Sequence, residues 1–183
     1  MKNKNIFSWM SPSIEVKDTG KYGKGIFAKK DIKKDEILIV MGGYIFDIEA
    51  ENHLNSFNED KPIEISECFS FSPRNRSDME KMPQHYINHS CNPNCGFKGQ
   101  LFIVAMKKIK KGEEILFDYA MVIASNPKST SYFKMKCLCG SKNCRGIINE
   151  EGWKIPQLQK KYAGYFQWYL EEKIKKLNNK SKK

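Results

Sequence analysis

Ten consecutive residues, Tyr86-Ile87-Asn88-His89-Ser90-Cys91-Asn92-Pro93-Asn94-Cys95, hold a histidine, three asparagines, two cysteines and a proline. Neither a regular helix nor a regular strand favours that mixture, so the stretch reads as a site presented by structure built elsewhere. Two later segments carry chemistry of the same kind: Gly112-Glu113-Glu114-Ile115-Leu116-Phe117-Asp118-Tyr119, and Cys137-Leu138-Cys139-Gly140-Ser141-Lys142-Asn143-Cys144-Arg145-Gly146. If the three form one site, the fold must bring residues near 89, 118 and 139 together. That long-range closure constrains the architecture more than any local propensity.

At 183 residues the chain has the size of one domain, large enough to bury about 70% of its unfolded surface around one core. No run approaches the ~18 apolar residues of a membrane span, and the opening Met1–Phe7 lacks the apolar stretch of a signal peptide, so no membrane partner is expected and a cytoplasmic protein is the default. In that compartment six cysteines point to metal or free thiols, because thiols there stay reduced. The balance of 32 basic and 21 acidic residues is +11. Part of the excess gathers in Lys173–Lys183, which reads as a solvated basic tail, with a non-specific nucleic-acid contact as the functional alternative.

Residues 1–13 form a lead. From Ile14 the chain shows strand-like alternation and glycine turns: Ile14–Lys17, then Asp18–Gly25, then Ile26–Ala28. By itself Gly23-Lys24-Gly25 suits a hairpin as well as a ligand loop. An apolar strand follows over Ile37–Met41, closed by Gly42-Gly43. The segment feeding it, Ala28–Glu36, shares its grammar with Ala105–Glu114, a basic Ile-Lys-Lys-(Asp/Gly)-Glu turn, read as similar turn chemistry and not a repeat. Between 47 and 85, a short helix is expected over Asp47–Asn55 and a strand over Ile63–Phe71, with Cys68 a small buried hydrophobe. From Pro156 an amphipathic helix carries Leu158, Tyr162, Tyr165, Phe166, Tyr169, Leu170, Ile174 and Leu177 on one stripe, read as core packing, with a wall or partner surface as the rival.

The motifs Gly23-Lys24-Gly25, Asn88-His89-Ser90-Cys91, Gly112–Tyr119 and Cys137-x-Cys139-x4-Cys144, in this order and spacing from about Ile14 to Gly146, closely resemble the SET-domain protein-lysine methyltransferases, and among them the short bacterial-type members with a post-SET zinc cluster. The resemblance implies a mainly β SET-domain β-clip fold with short helices, a pseudoknot threading the Asn-His and Asp-Tyr segments, a post-SET zinc segment and a C-terminal helix. It places the SET domain at 14–125, the zinc segment at 126–148, and the C-terminal helix and basic tail at 149–183. The activity implied is methyl transfer from S-adenosylmethionine to a lysine ε-amine of a protein substrate.

Residue by residue, the resemblance assigns Tyr119 the catalytic role, and Phe117 the position where phenylalanine leaves room for di- and trimethylated amines. It assigns Lys24, Gly25, Asn88, His89 and Tyr119 to the cofactor. Without it, Tyr119 reads as a buried strand-end tyrosine and His89 as a structural histidine. It makes Cys91, Cys137, Cys139 and Cys144 the ligands of a structural Zn2+, a closed tetrahedral thiolate site, with Cys95 as the rival fourth ligand. The chain departs from the family at Val40-Met41-Gly42-Gly43, where many members have Tyr-x-Gly-Glu, so a polar wall residue is expected from elsewhere. No cysteine-rich segment precedes residue 14. The substrate is left open among a histone, a host protein and a bacterial protein, with delivery to a host nucleus the alternative to a cytoplasmic site. A monomer is expected. A non-catalytic interaction module of the same fold and a basic nucleic-acid-binding protein are the rival functions.

Overall fold

The structure, a computed structural model, describes residues 7–21, 23–47, 63–124 and 133–180. Its strands in chain order are β1 (Trp9–Met10), β2 (Ile14–Asp18), β3 (Lys24–Ala28), β4 (Ile37–Val40), β5 (Tyr44–Asp47), β6 (Ile63–Glu64), β7 (Phe69–Ser72), β8 (Asn88–His89), β9 (Cys95–Lys98), β10 (Phe102–Ala105), β11 (Glu114–Phe117), β12 (Lys134–Lys136) and β13 (Ile147–Asn149). Helices are short: α1 (Arg76–Met79), α2 (Pro156–Lys161) and α3 (Trp168–Lys180). The expected mainly β architecture with short helices holds.

Two four-stranded sheets carry the core, in the orders β1-β4-β10-β9 and β2-β3-β11-β8. The β2–β3 hairpin turns at Gly20 and Gly23, whose φ angles are +71° and +78°, a region that costs residues with a Cβ. Inward-facing Ile26, Leu38, Ile39, Phe97, Ile103 and Ile115 from these sheets are fully buried, each such side chain contributing about 1.5–3 kcal/mol by leaving water. A third sheet, β5-β7-β6, and the β12–β13 pair are separate in hydrogen bonding but add Ile63, Phe71 and Ile148 to the same buried core.

The two Ile-Lys-Lys turns prove to be partners. Ile32 and Ile109, both completely buried, exchange backbone hydrogen bonds of 2.8 and 3.0 Å. Ala28 N donates to Glu113 O at 2.9 Å and Ala105 N to Glu36 O at 3.0 Å, while Asp35 N reaches Ala105 O and Gly112 N reaches Ala28 O, each at 2.8 Å. Each turn thus repeats the other's bonds about a local two-fold axis. The alike sequences reflect one shared requirement: an apolar residue at the crossing and a left-handed residue before the glutamate, met by Asp35 at φ +66° and Gly112 at φ +86°. This pairing ties the first sheet hairpin to the strand that carries Phe117.

Three expectations need correction. Ile63–Phe71 is a hairpin and not one strand, because Ser66 Oγ accepts from the backbone of Cys68 and Phe69 at 3.1 and 3.0 Å and turns the chain there. Cys68 sits in that turn and is exposed, since nothing packs over a hairpin tip. The C-terminal stripe forms two helices, not one: Gly164 at φ +76° breaks the chain between α2 and α3, although Tyr162, Phe166, Tyr169 and Leu170 are buried as core packing requires. Most of the expected helix over 47–55 lies outside the described residues.

Candidate active site and metal centre

β8 lies parallel to β11, pairing Asn88 with Leu116 and His89 with Phe117. Beyond this short ladder the Asn-rich stretch continues the contact with side chains. Asn94 Nδ2 donates to Glu114 O at 2.7 Å and its Oδ1 accepts from Leu116 N at 2.8 Å, which is the pairing a strand backbone would make. Ser90 N donates to Phe117 O at 3.0 Å. One of the three asparagines, Asn94, thus completes a sheet edge through its amide while the backbone stays irregular enough to present Asn88, His89 and Cys91.

At one end, Asn88 Nδ2 donates to Lys24 O at 3.2 Å and to Glu114 Oε1 at 2.8 Å. Gly25 lies under this group, and a Cβ there would stand 2.5 Å from Glu114 Oε1, 2.8 Å from Thr19 Cγ2 and 3.1 Å from Asn88 Nδ2. A side chain at this position would have to push Glu114, Thr19 and Asn88 aside. Of the residues assigned to a cofactor, Lys24, Gly25 and Asn88 converge. Glu114 joins them and was missed, because a glutamate opening a strand after a Gly-Glu turn reads as a solvated charge.

His89 faces the other way. Its Nδ1 accepts from Tyr119 N at 3.2 Å and its Nε2 lies 3.4 Å from Cys91 Sγ. Burial lowers its pKa to about 4, outweighing the pull of Asp118, with Arg145 adding to the fall. The neutral ring that results carries its hydrogen on Nε2, since Nδ1 is an acceptor. Both ring nitrogens are engaged by protein atoms, so the ring acts as a spacer between the Tyr119 backbone and a cysteine.

Tyr119 and Phe117 are buried, with ring centroids 5.2 Å apart, and the Tyr119 ring is 5.0 Å from His89 and 6.0 Å from Phe133. Together with Ile63, Gln84, His85, Ile87, Val122 and Ile123 they line a small, mostly apolar pocket. Its amide comes from Gln84, whose Nε2 donates to Gly42 O at 3.1 Å.

The Sγ atoms of Cys91, Cys137, Cys139 and Cys144 all lie within 4.8 Å of one another, and those of Cys91 and Cys137 are 3.9 Å apart. Four thiolates at the ~2.3 Å bond length of tetrahedral zinc stand ~3.8 Å from each other. Backbone N–H groups of Arg145 and Gly146 point at Cys91 and Cys144 at 3.4 and 3.5 Å, the kind of donors that support bound thiolates. The cluster could hold a metal ion. Cys95, the rival, is fully buried at the start of β9 and is not part of it.

Arg145 links this cluster to the Phe117-Asp118-Tyr119 segment, a contact no motif in the sequence announced. Its guanidinium grips Asp118 through both terminal nitrogens, with Nη2 at 2.7 Å from Oδ1. Asp118 is fully buried and accepts also from Tyr162 Oη and Ala120 N, each at 3.0 Å. The residue before Tyr119 is thereby held by the cysteine segment on one side and by Tyr162, at the C-terminal end of α2, on the other.

Comparison with known proteins agrees with this geometry. The SET domain family model matches residues 23–120, and the chain belongs to the SET-domain family. Histone-lysine N-methyltransferase set-2 of Caenorhabditis elegans is 35% identical over 138 residues, 70% of this chain and 9% of that protein. Human Histone-lysine N-methyltransferase SETD1B is 34% identical over 135 residues, 68% of this chain and 6% of that protein. Human Histone-lysine N-methyltransferase 2B is 29% identical over 162 residues, 81% of this chain and 6% of that protein. The chain thus spans less than a tenth of the length of these relatives.

Proposed function

We propose that this chain is an S-adenosylmethionine-dependent protein-lysine N-methyltransferase that accepts its target lysine in the Phe117/Tyr119 pocket. The observation that carries the reading is the convergence, around β8 and β11, of an apolar aromatic pocket, the Asn88–Lys24–Glu114 group and the four-thiol cluster. S-adenosylmethionine, when bound, supplies a methyl group carried on a sulfonium. The Lys24 carbonyl and the Glu114 carboxylate suit its ammonium, Asn88 sits between them, and His89 offers it backbone only, since its ring is buried and both ring nitrogens are engaged by protein atoms.

A lysine amine at its ordinary pKa near 10.4 is neutral in only about one molecule in two thousand at pH 7. Ile63, Ile87, Val122 and Ile123 provide walls that disfavour the ammonium form. Tyr119 adds a hydroxyl that directs a hydrogen bond to the transfer centre without carrying charge, and the pocket aligns the amine, which converts binding into rate. Phe117 leaves the space that a tyrosine hydroxyl or its water would fill, so the product extends beyond monomethyl. The four cysteines would hold Zn2+ as a structural tie between the β8 loop and residues 137–146.

Histones are the substrates to try first, since the relatives are named as histone-lysine methyltransferases. With methyl-labelled cofactor and core histones, label on lysine is expected from the wild type, with di- or trimethyl masses under excess cofactor. Tyr119→Phe should keep cofactor affinity while the rate falls at least tenfold, the scale of one hydrogen bond of about 1.4 kcal/mol to the transfer centre. An unchanged rate removes Tyr119 from its role, and a product stalled at monomethyl removes Phe117 from its own.

A further inference from the structure

The pocket has two walls that are far apart in sequence. Ile63, on β6, forms one; Val122 and Ile123, just past Tyr119, form the other. A single side chain from outside the matched SET region reaches both. Tyr169 Oη, in the first turn of α3, lies 2.8 Å from Glu64 Oε2 and 2.5 Å from Val122 O. Glu64 Oε2 also accepts from Ala124 N at 3.2 Å. The residues that flank or form each wall are thus gathered on one phenol and one carboxylate.

We propose that Tyr169 is a positioning residue that sets the gauge of the lysine pocket, so that the C-terminal helix governs how tightly the target side chain is held. This rests on the methyltransferase reading for the identity of the occupant. The phenol has one hydrogen for two acceptors, one on each wall, and sharing it draws the walls toward a common point. Burial, then the Glu64 carboxylate, raise the Tyr169 pKa well above its ordinary value, which keeps that hydrogen in place. Helix α3 is itself held at its start, where Gln167 N donates to Met121 O at 3.0 Å, and again where Lys173 Nζ pairs with Glu67 at 3.1 Å. The second of these contacts reaches the β6–β7 turn. A helix that touches the β6–β7 hairpin and the segment after Tyr119 together can couple them; a helix that merely packed on the core would not need polar contacts to both.

The test compares wild type, Tyr169→Phe, Glu64→Ala and the double variant, using core histones and labelled cofactor. Removing one shared hydrogen bond should raise KM for histone roughly three- to tenfold, with kcat and cofactor Kd within about twofold. The double variant should add little, because the two groups act as one unit. Hydrogen exchange read in the same proteins should quicken at the Ala124 amide and stay unchanged at Ile115 in β11. A purely structural role gives instead a loss of active fraction, seen as lower kcat at constant KM, and that outcome overturns the proposal. So does an Ala124 amide that exchanges at the wild-type rate in Tyr169→Phe, where its own acceptor on Glu64 is kept. If the wild type labels no lysine, the catalytic reading falls and the exchange rates alone decide whether Tyr169 clamps the pocket walls. Should Tyr169→Phe fail to fold, Glu64→Ala carries the KM readout, and an unchanged KM there overturns the proposal.

Discussion

Arg145→Met isolates the contact that joins the cysteine segment to the catalytic one. In the folded protein Asp118 has no exposed surface and receives four hydrogen bonds: two from Arg145, one from Tyr162 and one from the Ala120 backbone. Methionine removes two of the four and the only countercharge among them, since His89, 3.8 Å away, is neutral at pH 7. Breaking a buried pair by deleting one partner costs about 3–5 kcal/mol. Arg145 keeps 18% of its side chain exposed, and the Tyr162 and Ala120 donors remain, so the lower end, about 3 kcal/mol, is expected. For a chain of this size each kcal/mol moves Tm by about 2–4 °C, which gives a fall of about 6–12 °C. The melt is run with zinc in excess, so that a change in metal affinity does not enter as lost ligand stabilisation. Asp118→Asn in the same background should recover part of the loss by removing the stranded charge. A fall below about 2 °C, or a double variant less stable than Arg145→Met alone, refutes the reasoning.

Three further outcomes follow from the same coordinates. Metal analysis should find about one zinc per chain, and thiol titration should show Cys68 reacting first, four more thiols after chelation and Cys95 only on unfolding; Cys95 reacting together with the four would reinstate it as a ligand. Gly25→Ala places a Cβ 2.5 Å from Glu114 Oε1 and should weaken S-adenosylmethionine binding by calorimetry at least tenfold, the scale of about 1.4 kcal/mol, whereas unchanged affinity would remove Gly25 from the cofactor site. Gly112→Ala meets nothing within 4 Å but must hold φ at +86°, so its cost in a urea titration should be conformational only, about 1–2 kcal/mol; a neutral result would mean that the paired turns are not rigid.

The residue types expected to serve a reaction or a metal stood out in the sequence, because such chemistry tolerates few substitutes at fixed spacing. Asn88, Cys91, Phe117, Tyr119 and the cysteine cluster all stand where one site can use them. What was not legible is the scaffolding between motifs. Asp118 reads as one letter of a motif, yet its partners Arg145 and Tyr162 lie 27 and 44 residues away, and no local pattern encodes such a pairing. Glu64 and Tyr169, 105 residues apart, are invisible for the same reason. The break at Gly164 had a visible signal, since glycine interrupts helices, but the apolar stripe continues on both sides because both helices face one core. Likewise the two Ile-Lys-Lys turns look like coincidence until their reciprocal bonds are seen. Local turn chemistry can be read from one strand of text, whereas a local two-fold axis needs two strands in space.

The scaffolding also explains why the motifs need one another. Tyr119 has His89 against its backbone, Asp118 before it, and the Val122 carbonyl, held by Tyr169, after it. His89 leads to Cys91, Asp118 leads to Arg145 beside Cys144, and Val122 leads to α3. The tyrosine is thus fixed from three directions by elements that follow or precede it by tens of residues, so its position is a property of the closed fold and not of its own strand. Loss of the Arg145 anchor should therefore act on global stability first, and loss of the Tyr169 anchor on substrate binding through geometry. The Arg145 and Tyr169 variants separate those effects, because Arg145 removes buried charge compensation whereas Tyr169 removes only a shared hydrogen.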